Sequence, residues 1–442
     1  MIVVKFGGAS LAGVDRMRAA ARIVAAHQRR DQRVVCVVSA MAGVTDALIR
    51  IGEYAAQGRP ERRLTTTTAI RAQHLAVLTA LTTTTPAATA ETLPRFNAAW
   101  LALEADLARL ASSAGVMPPD TQVAELARFS AWGERLSTLL FTSALLAEGV
   151  HAVAFESEPV VACARRAHVP ENEPASEDEL AGPWAHLAPS VPATRAALAP
   201  QVARAWKRRA ILVMPGYIAR SDADEVITLG RNGSDHSAAL IGAALRARAV
   251  YLYSDVAGVH RADPHVAPEA DLLPALTYGD AAALAWLGAR IVHPAAVRPV
   301  ADRDIPLHLR SALTPEQPGT IIASAQHLRA HGVKAHGWAI ATRPATTSDP
   351  LLGLRDSPLP EADLVIVSCL LFDHMGDDTS SDRADESHFQ LIVRASEAAL
   401  AQRQLVAMLS RFDQRSAMSG AMSGAMSEPM RPAPALHMME AR

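Results

Sequence analysis

Two short stretches carry the residues best suited to chemistry. Strand-like Met1-Ile2-Val3-Val4-Lys5-Phe6 runs into Gly7-Gly8-Ala9-Ser10, and far along the chain Thr228-Leu229-Gly230-Arg231-Asn232-Gly233-Ser234-Asp235 opens an alanine-rich run from Ser237 to Leu245. Each is a glycine turn that can bring backbone N–H groups and a charge close to an anion. Phosphoryl transfer asks for such parts: the moving group carries spread negative charge, so catalysis is mainly positioning and neutralisation. Lys5 can supply the cation, while Gly7 and Gly8 let backbone amides approach phosphates. Asp235 can hold Lys5 in place or help bind Mg²⁺. Taken singly, Gly7-Gly8 is equally an ordinary strand-to-helix turn and Asp235 a helix cap. The chain has only three lysines, Lys5, Lys207 and Lys334, which makes one beside a glycine pair harder to dismiss as background. No Gly-x-x-x-x-Gly-Lys-Ser/Thr sequence occurs, so a P-loop is excluded. Together the stretches imply a site for a phosphorylated ligand, built from both halves of one α/β domain.

Such a site needs strands to aim it. Residues 2–6 and 33–39 are continuous apolar runs and read as buried parallel strands, with a helix near 14–28 between them. Residues 66–148 read as mostly helical, broken near Pro86 and Pro118-Pro119. The threonine runs 65–68 and 82–85 have poor helix propensity and read as helix ends. Further strands are expected at 150–155, 209–216 and 249–255. Strands alternating with helices give an α/β sheet covered on both faces. After Ile322 the texture changes. Residues 344–361 are proline-rich, 364–370 and 389–393 read as strands, and 395–411 as one amphipathic helix. Ala-Met-Ser-Gly repeats at 417–420 and 421–424, and 413–442 reads as a disordered low-complexity tail.

Bulk properties narrow the classes. The chain has 442 residues, 50% of them hydrophobic, enough for two or three domains with cores. A formal net charge of −2 argues against nucleic acid or an anionic membrane as partner. No apolar run reaches membrane-spanning length and Lys5 interrupts any signal-peptide pattern, so the expected location is cytoplasmic. Cys36, Cys163 and Cys369 are widely spaced and read as reduced thiols. The sixteen histidines show no ligand spacing, and the acidic stretch between His374 and His388 fails the Ca²⁺-loop pattern, so no metal site built from protein ligands is expected.

Six ordered blocks resemble signatures of aspartate kinase, in the amino acid kinase family. They are Lys5 to Ser10, Val38 to Asp46, Gly133-Glu134-Arg135-Leu136-Ser137, Gly230 to Asp235, Ser254 to Val259, and Gly288 to Pro294. Any one alone is weak, but the order is right and the likeness runs from residue 1 to about Ile322. The resemblance implies an amino-acid-kinase α/β/α sandwich with a mostly parallel sheet over 1–322. A shortened ACT-like α+β domain follows over 323–412, where the family usually has two such modules. It implies ATP and Mg²⁺ as cofactors, L-aspartate as substrate, and a homodimer or higher homo-oligomer. The reaction would transfer the γ-phosphoryl of MgATP to the side-chain carboxylate, the first step towards lysine, threonine and methionine. Alternatives are a kinase of another small carboxylate or amino acid, and a catalytically weak regulatory paralogue.

By the same resemblance Lys5 and Asp235 are the catalytic lysine and aspartate. Ser39, Thr45, Glu134, Arg231 and Ser234 match the aspartate-binding positions. Their chemistry agrees: Arg231 can fork onto an α-carboxylate, the hydroxyls can donate to it, and Glu134 can pair with the ammonium. Lys5, Gly7, Gly8, Ser10, Ser254, Asp255, His260, His265 and Arg290 match the nucleotide side. Here the chain departs from the family. Ala9 replaces threonine or serine, Ser254 threonine, His260 tyrosine, His265 arginine and Arg290 lysine. Arginine for lysine near phosphate keeps the charge but changes the geometry. Because the family's amino-acid effectors bind between paired ACT modules, weak or absent inhibition by lysine or threonine is expected.

Overall fold

The computed structural model describes the chain apart from residues 31, 87–88, 114–117, 165–183, 185, 231, 288, 290–291, 334–335, 345–363, 374–386, 395, 397 and 421–442. The described residues fall into two compact units. One comprises Met1–Ala257 and Val292–Pro318, the other Gly258–Ile291 and Gly319–Arg442.

The larger unit opens with the βαβ motif legible in its sequence: β1 (Ile2–Phe6), a 3₁₀ turn over Gly8–Leu11, α1 (Val14–Arg29) and β2 (Val34–Val38). The strands pair in parallel from Ile2↔Val34 to Phe6↔Val38. All ten strand residues are buried, as strands covered on both faces must be. Five helices follow: α2 (Val44–Ala56), α3 (Pro60–Thr84), α4 (Thr92–Ser112), α5 (Pro119–Ser130) and α6 (Trp132–Ala147). Next come β3 (Ala152–Ala154), β4 (Val160–Ala164), β5 (Leu187–Pro189), α7 (Val191–Lys207), β6 (Ile211–Pro215), β7 (Ile218–Ser221), β8 (Val226–Thr228), α8 (Gly233–Leu245) and β9 (Val250–Ser254). The chain then contributes β10 (Ala275–Thr277) and α9 (Tyr278–Trp286) to the smaller unit. It returns to the larger one with α10 (Pro294–Ala301) and β11 (Leu307–Ser311).

Within the larger unit the strands run β11-β9-β1-β2-β6-β3, every neighbouring pair parallel. A second sheet, β5-β4-β7-β8, is mixed. Side chains alternate across the main sheet. Ile2, Val4 and Phe6 of β1 join a core with Met17 and Val24 of α1 and Leu136, Leu140 and Phe141 of α6. Lys5 therefore points to the opposite face, the one α8 packs on.

The threonine run 65–68 lies inside α3, not at an end. Pro60 starts the helix at a position where no N–H is needed, and Thr65, Thr66 and Thr67 return their hydroxyls to the carbonyls of Glu61, Arg62 and Arg63. The run 82–85 does mark an end, since α3 stops at Thr84. Among the described residues no helix is long and apolar enough to cross a membrane.

The smaller unit pairs β10 in parallel with β12 (Thr320–Ala323), which leads into α11 (Ala325–Ala330). It also holds an antiparallel sheet, β13 (His336–Pro344), β14 (Leu364–Asp373) and β15 (Ser387–Arg394), and a helix, α12 (Ala398–Gly420). Ile340, Val367 and Cys369 of the sheet share a core with Leu405, Val406 and Leu409 of α12. This is the expected shortened ACT-like α+β arrangement, with β13 added to the two strands legible in the sequence. α12 runs on to Gly420 where the apolar period suggested an end at 411. The proline-rich stretch over 345–361, His374 with the acidic stretch after it, and the tail from 421 lie outside the described residues.

Candidate active site

In a parallel sheet, ligands sit beyond the carboxyl ends of the strands. β1, β2, β6 and β9 end here, and the turns after β1 and β2 pack on each other. Lys5, the second-last residue of β1, places Nζ 2.5 Å from Oδ1 of Asp235 in the first turn of α8. Both side chains are mostly buried, so the pair is little screened by solvent. Gly7 donates its N–H to the Tyr253 carbonyl (3.0 Å), and a Cβ on it would lie 3.4 Å from Lys5 Nζ. Its lack of a side chain thus keeps the ammonium approachable. A Cβ on Gly8 would meet the Ala40 carbonyl at 2.7 Å, while Gly8 accepts from the Ala42 N–H at 3.2 Å. The turn after β1 therefore rests directly on the turn after β2. Gly43, with φ +77°, lets that second turn swing into α2, whose first turn carries Thr45.

Ser234 Oγ lies 3.3 Å from Ser39 Oγ and links the start of α8 to the end of β2. Gly216, just past β6, makes room for Ser234: a Cβ there would be 2.8 Å from its Oγ. α8 begins after Asn232, a left-handed residue at φ 54° that gives no side-chain cap. The dipole of the helix start therefore favours an anion there.

Glu134, on the first turn of α6, is 2% exposed rather than solvated as an isolated helix glutamate would be. Its Oε1 accepts from the Ala40 N–H at 3.1 Å, and its Oε2 has no partner among the described residues. Burial pushes its pKa up to about 8, against the Ala40 N–H and nearby Lys5, which pull the other way. A cation arriving at Oε2 would reverse that shift.

The structure thus brings Lys5, Ser39, Glu134, Ser234 and Asp235 around the two turns. Ser10 is buried with its hydroxyl unpartnered among the described residues. Ser254 ends β9, its Oγ 3.3 Å from the Val256 N, and Asp255 is exposed. His260 and His265 belong to the smaller unit. His260 Nδ1 lies 3.0 Å from the Ala270 carbonyl, and exposed His265 donates its N–H to Asp263 (2.9 Å). Arg231 and Arg290 lie outside the described residues. Sequence reading missed the Ala40 amide, which no residue type signals, and Gly216, which reads only as a turn after Pro215.

The family model described as amino acid kinase family matches residues 1–311. The chain is 30% identical over 324 residues to lysine-sensitive aspartokinase 3 of Escherichia coli (strain K12), covering 73% of this chain and 64% of that protein. It is 29% identical over 332 residues to chloroplastic aspartokinase 2 of Arabidopsis thaliana, covering 74% and 55%. It therefore spans less than two thirds of these curated relatives. The crystal structure of E. coli aspartokinase III in complex with aspartate and ADP superposes with a TM-score of 0.68. That match covers 92% of this chain and 98% of the other, and at 21% identity it is a likeness of fold.

Proposed function

The chain belongs to the amino acid kinase family, and on that premise we propose that it is an aspartate kinase, transferring the γ-phosphoryl of MgATP to the side-chain carboxylate of L-aspartate to give 4-phospho-L-aspartate. The observation that carries this reading is the Lys5–Asp235 pair, set beside Ser39, Ser234 and the unpaired oxygen of Glu134. The relatives that are named aspartokinases support it.

In the reaction a carboxylate oxygen of the acceptor attacks the γ-phosphorus, and the bond from that phosphorus to the ADP oxygen breaks. A carboxylate nucleophile is already ionised, so no base must take a proton. Charge control is what remains, and Lys5 supplies it on the transferring oxygens. Asp235 holds the ammonium by one oxygen, Oδ1. A carboxylate with a second oxygen to offer fits Mg²⁺, whose role with bound ATP is to neutralise phosphate charge. Gly8 offers a backbone amide to the phosphates, since that of Gly7 is engaged by Tyr253. On the acceptor side Arg231 takes the α-carboxylate with Ser39, Thr45 and Ser234, and Glu134 takes the α-ammonium. Ser10, Ser254, Asp255, His260, His265 and Arg290 are assigned to the nucleotide side. Self-association into a dimer or higher oligomer belongs to the same reading.

The test is ADP release with a panel of acceptors. L-Aspartate should be strongly preferred over N-acetyl-aspartate, which lacks the ammonium, and over L-glutamate, which is longer. Equal turnover of N-acetyl-aspartate would remove Glu134 from the acceptor site, and preference for another carboxylate would make the chain a kinase of that compound.

A further inference from the structure

Glu134 sits on the first turn of α6, which follows α5 after the single residue Ala131 and has no side-chain cap. Two side-chain clamps hold its first residues. On one edge, Trp132 Nε1 donates to Oδ2 of Asp106, on α4, at 2.8 Å. Asp106 is itself buried, 8% exposed, and its Oδ1 pairs with Arg109 at 3.0 Å and Arg128 of α5 at 3.4 Å. Glu125 of α5 adds a pair to Arg109 at 3.1 Å. On the face of the indole, the Arg135 guanidinium lies 4.9 Å from the ring centroid and pairs with Glu158 at 2.5 Å. Trp132 is thus held by edge and by face.

The residues that follow transmit this hold. Gly133 faces Ala40 so closely that a Cβ would come within 2.7 Å of the alanine Cβ, and Glu134 takes the Ala40 N–H. Trp132 and Glu134 are two residues apart, roughly 200° around the helix, so any roll of α6 about its axis displaces both. Apolar packing alone resists such a roll weakly, whereas a directional hydrogen bond to a fixed carboxylate sets one angle. A buried ion network is weak evidence for stability, because well-packed apolar groups often serve as well. Its use here is geometric.

We propose that Asp106, acting through Trp132, is a positioning residue that sets Glu134 against the Ala40 amide and towards the acceptor's ammonium group. The identity of that acceptor rests on the reading above, while the positioning is a property of the free protein. Trp132→Phe keeps the ring and its guanidinium partner but removes the N–H. Amide exchange at Ala40 should then rise, and KM for L-aspartate should increase roughly three- to tenfold, the size of one lost hydrogen bond. kcat and KM for ATP should stay within about twofold of wild type, a bound well below that effect. In a Glu134→Gln background, Trp132→Phe should add little to the aspartate KM, because both changes act through one group. Asp106→Leu, close in size and without an acceptor for the indole N–H, should reproduce the pattern if the tryptophan variant folds poorly. Unchanged Ala40 exchange, an equal rise in both KM values, or an undiminished effect in the Glu134→Gln background would each overturn the proposal. A wild-type protein that does not phosphorylate aspartate defeats the acceptor reading, and the exchange measurement still decides the positioning.

Discussion

Glu134 is where fold and function pull against each other. Its folded pKa, raised by burial from the ordinary 4.5 to about 8, means that the fold keeps a proton which the unfolded chain releases. Stability from this group is complete below about 4.5, falls as pH rises from there to about 8, and levels off above. Glu134→Gln removes the titration. The free variant should therefore melt above wild type by a margin that is larger at pH 8 than at pH 5, while its KM for aspartate rises. Thermal melts of ligand-free protein at the two pH values check this, and a margin that does not grow with pH would mean that the carboxyl is ionised in the fold. Arg231 is assigned to the acceptor's α-carboxylate, so Arg231→Ala should raise KM for aspartate far more than KM for ATP. Steady-state titration of each substrate reads this, and equal rises would show an effect through the fold. At this scale the sequence was informative about types and poor about surroundings. Lysine and aspartate beside glycines announced charge chemistry. Nothing in Glu134 or its neighbours announced that it would be buried on a backbone amide, because that depends on a loop some ninety positions earlier.

Among the elements, the close approach of α6 to the turn after β2 is the one most exposed to test. Gly133→Ala puts a methyl 2.7 Å from the Ala40 Cβ, so helix or turn must yield. Overpacking of this kind costs about 1–3 kcal/mol. It should also raise the aspartate KM, since the turn carries Ser39 and the Ala40 amide. Denaturant unfolding and kinetics on one preparation measure both, and a variant with wild-type KM and lowered stability would separate the packing from the site. The long strands β1, β2, β6 and β9 were legible because buried parallel strands are continuous apolar runs. The second sheet was not, since β5 and β8 are three residues each and carry no period. The threonine run inside α3 misled because propensity ignores the back-bonded hydroxyls that let threonine sit in a helix.

At the scale of the whole molecule, the motif blocks in order were enough to assign the family, and the parallel sheet with its turns agrees. The larger unit holds Lys5, Asp235 and the residues proposed for the acceptor, and the described part of 336–420 holds one three-stranded sheet and one helix. Effector inhibition needs a site whose affinity differs between two states. A pocket between two complete ACT modules asks for more structure than the described residues provide. A protein of these 442 residues should show weak or no inhibition by millimolar lysine or threonine at sub-saturating aspartate, and saturable inhibition at micromolar concentrations would contradict this. The central claim, that Lys5 drives phosphoryl transfer to the side-chain carboxylate of aspartate, is tested most directly by trapping the acyl phosphate. Purified protein, MgATP, L-aspartate and hydroxylamine should yield aspartyl hydroxamate. Lys5→Met, which keeps the side-chain bulk, should lower that rate by roughly two to four orders of magnitude, as expected on losing one electrostatic stabiliser. No hydroxamate from the wild type, or an undiminished rate from folded Lys5→Met protein, would contradict the account.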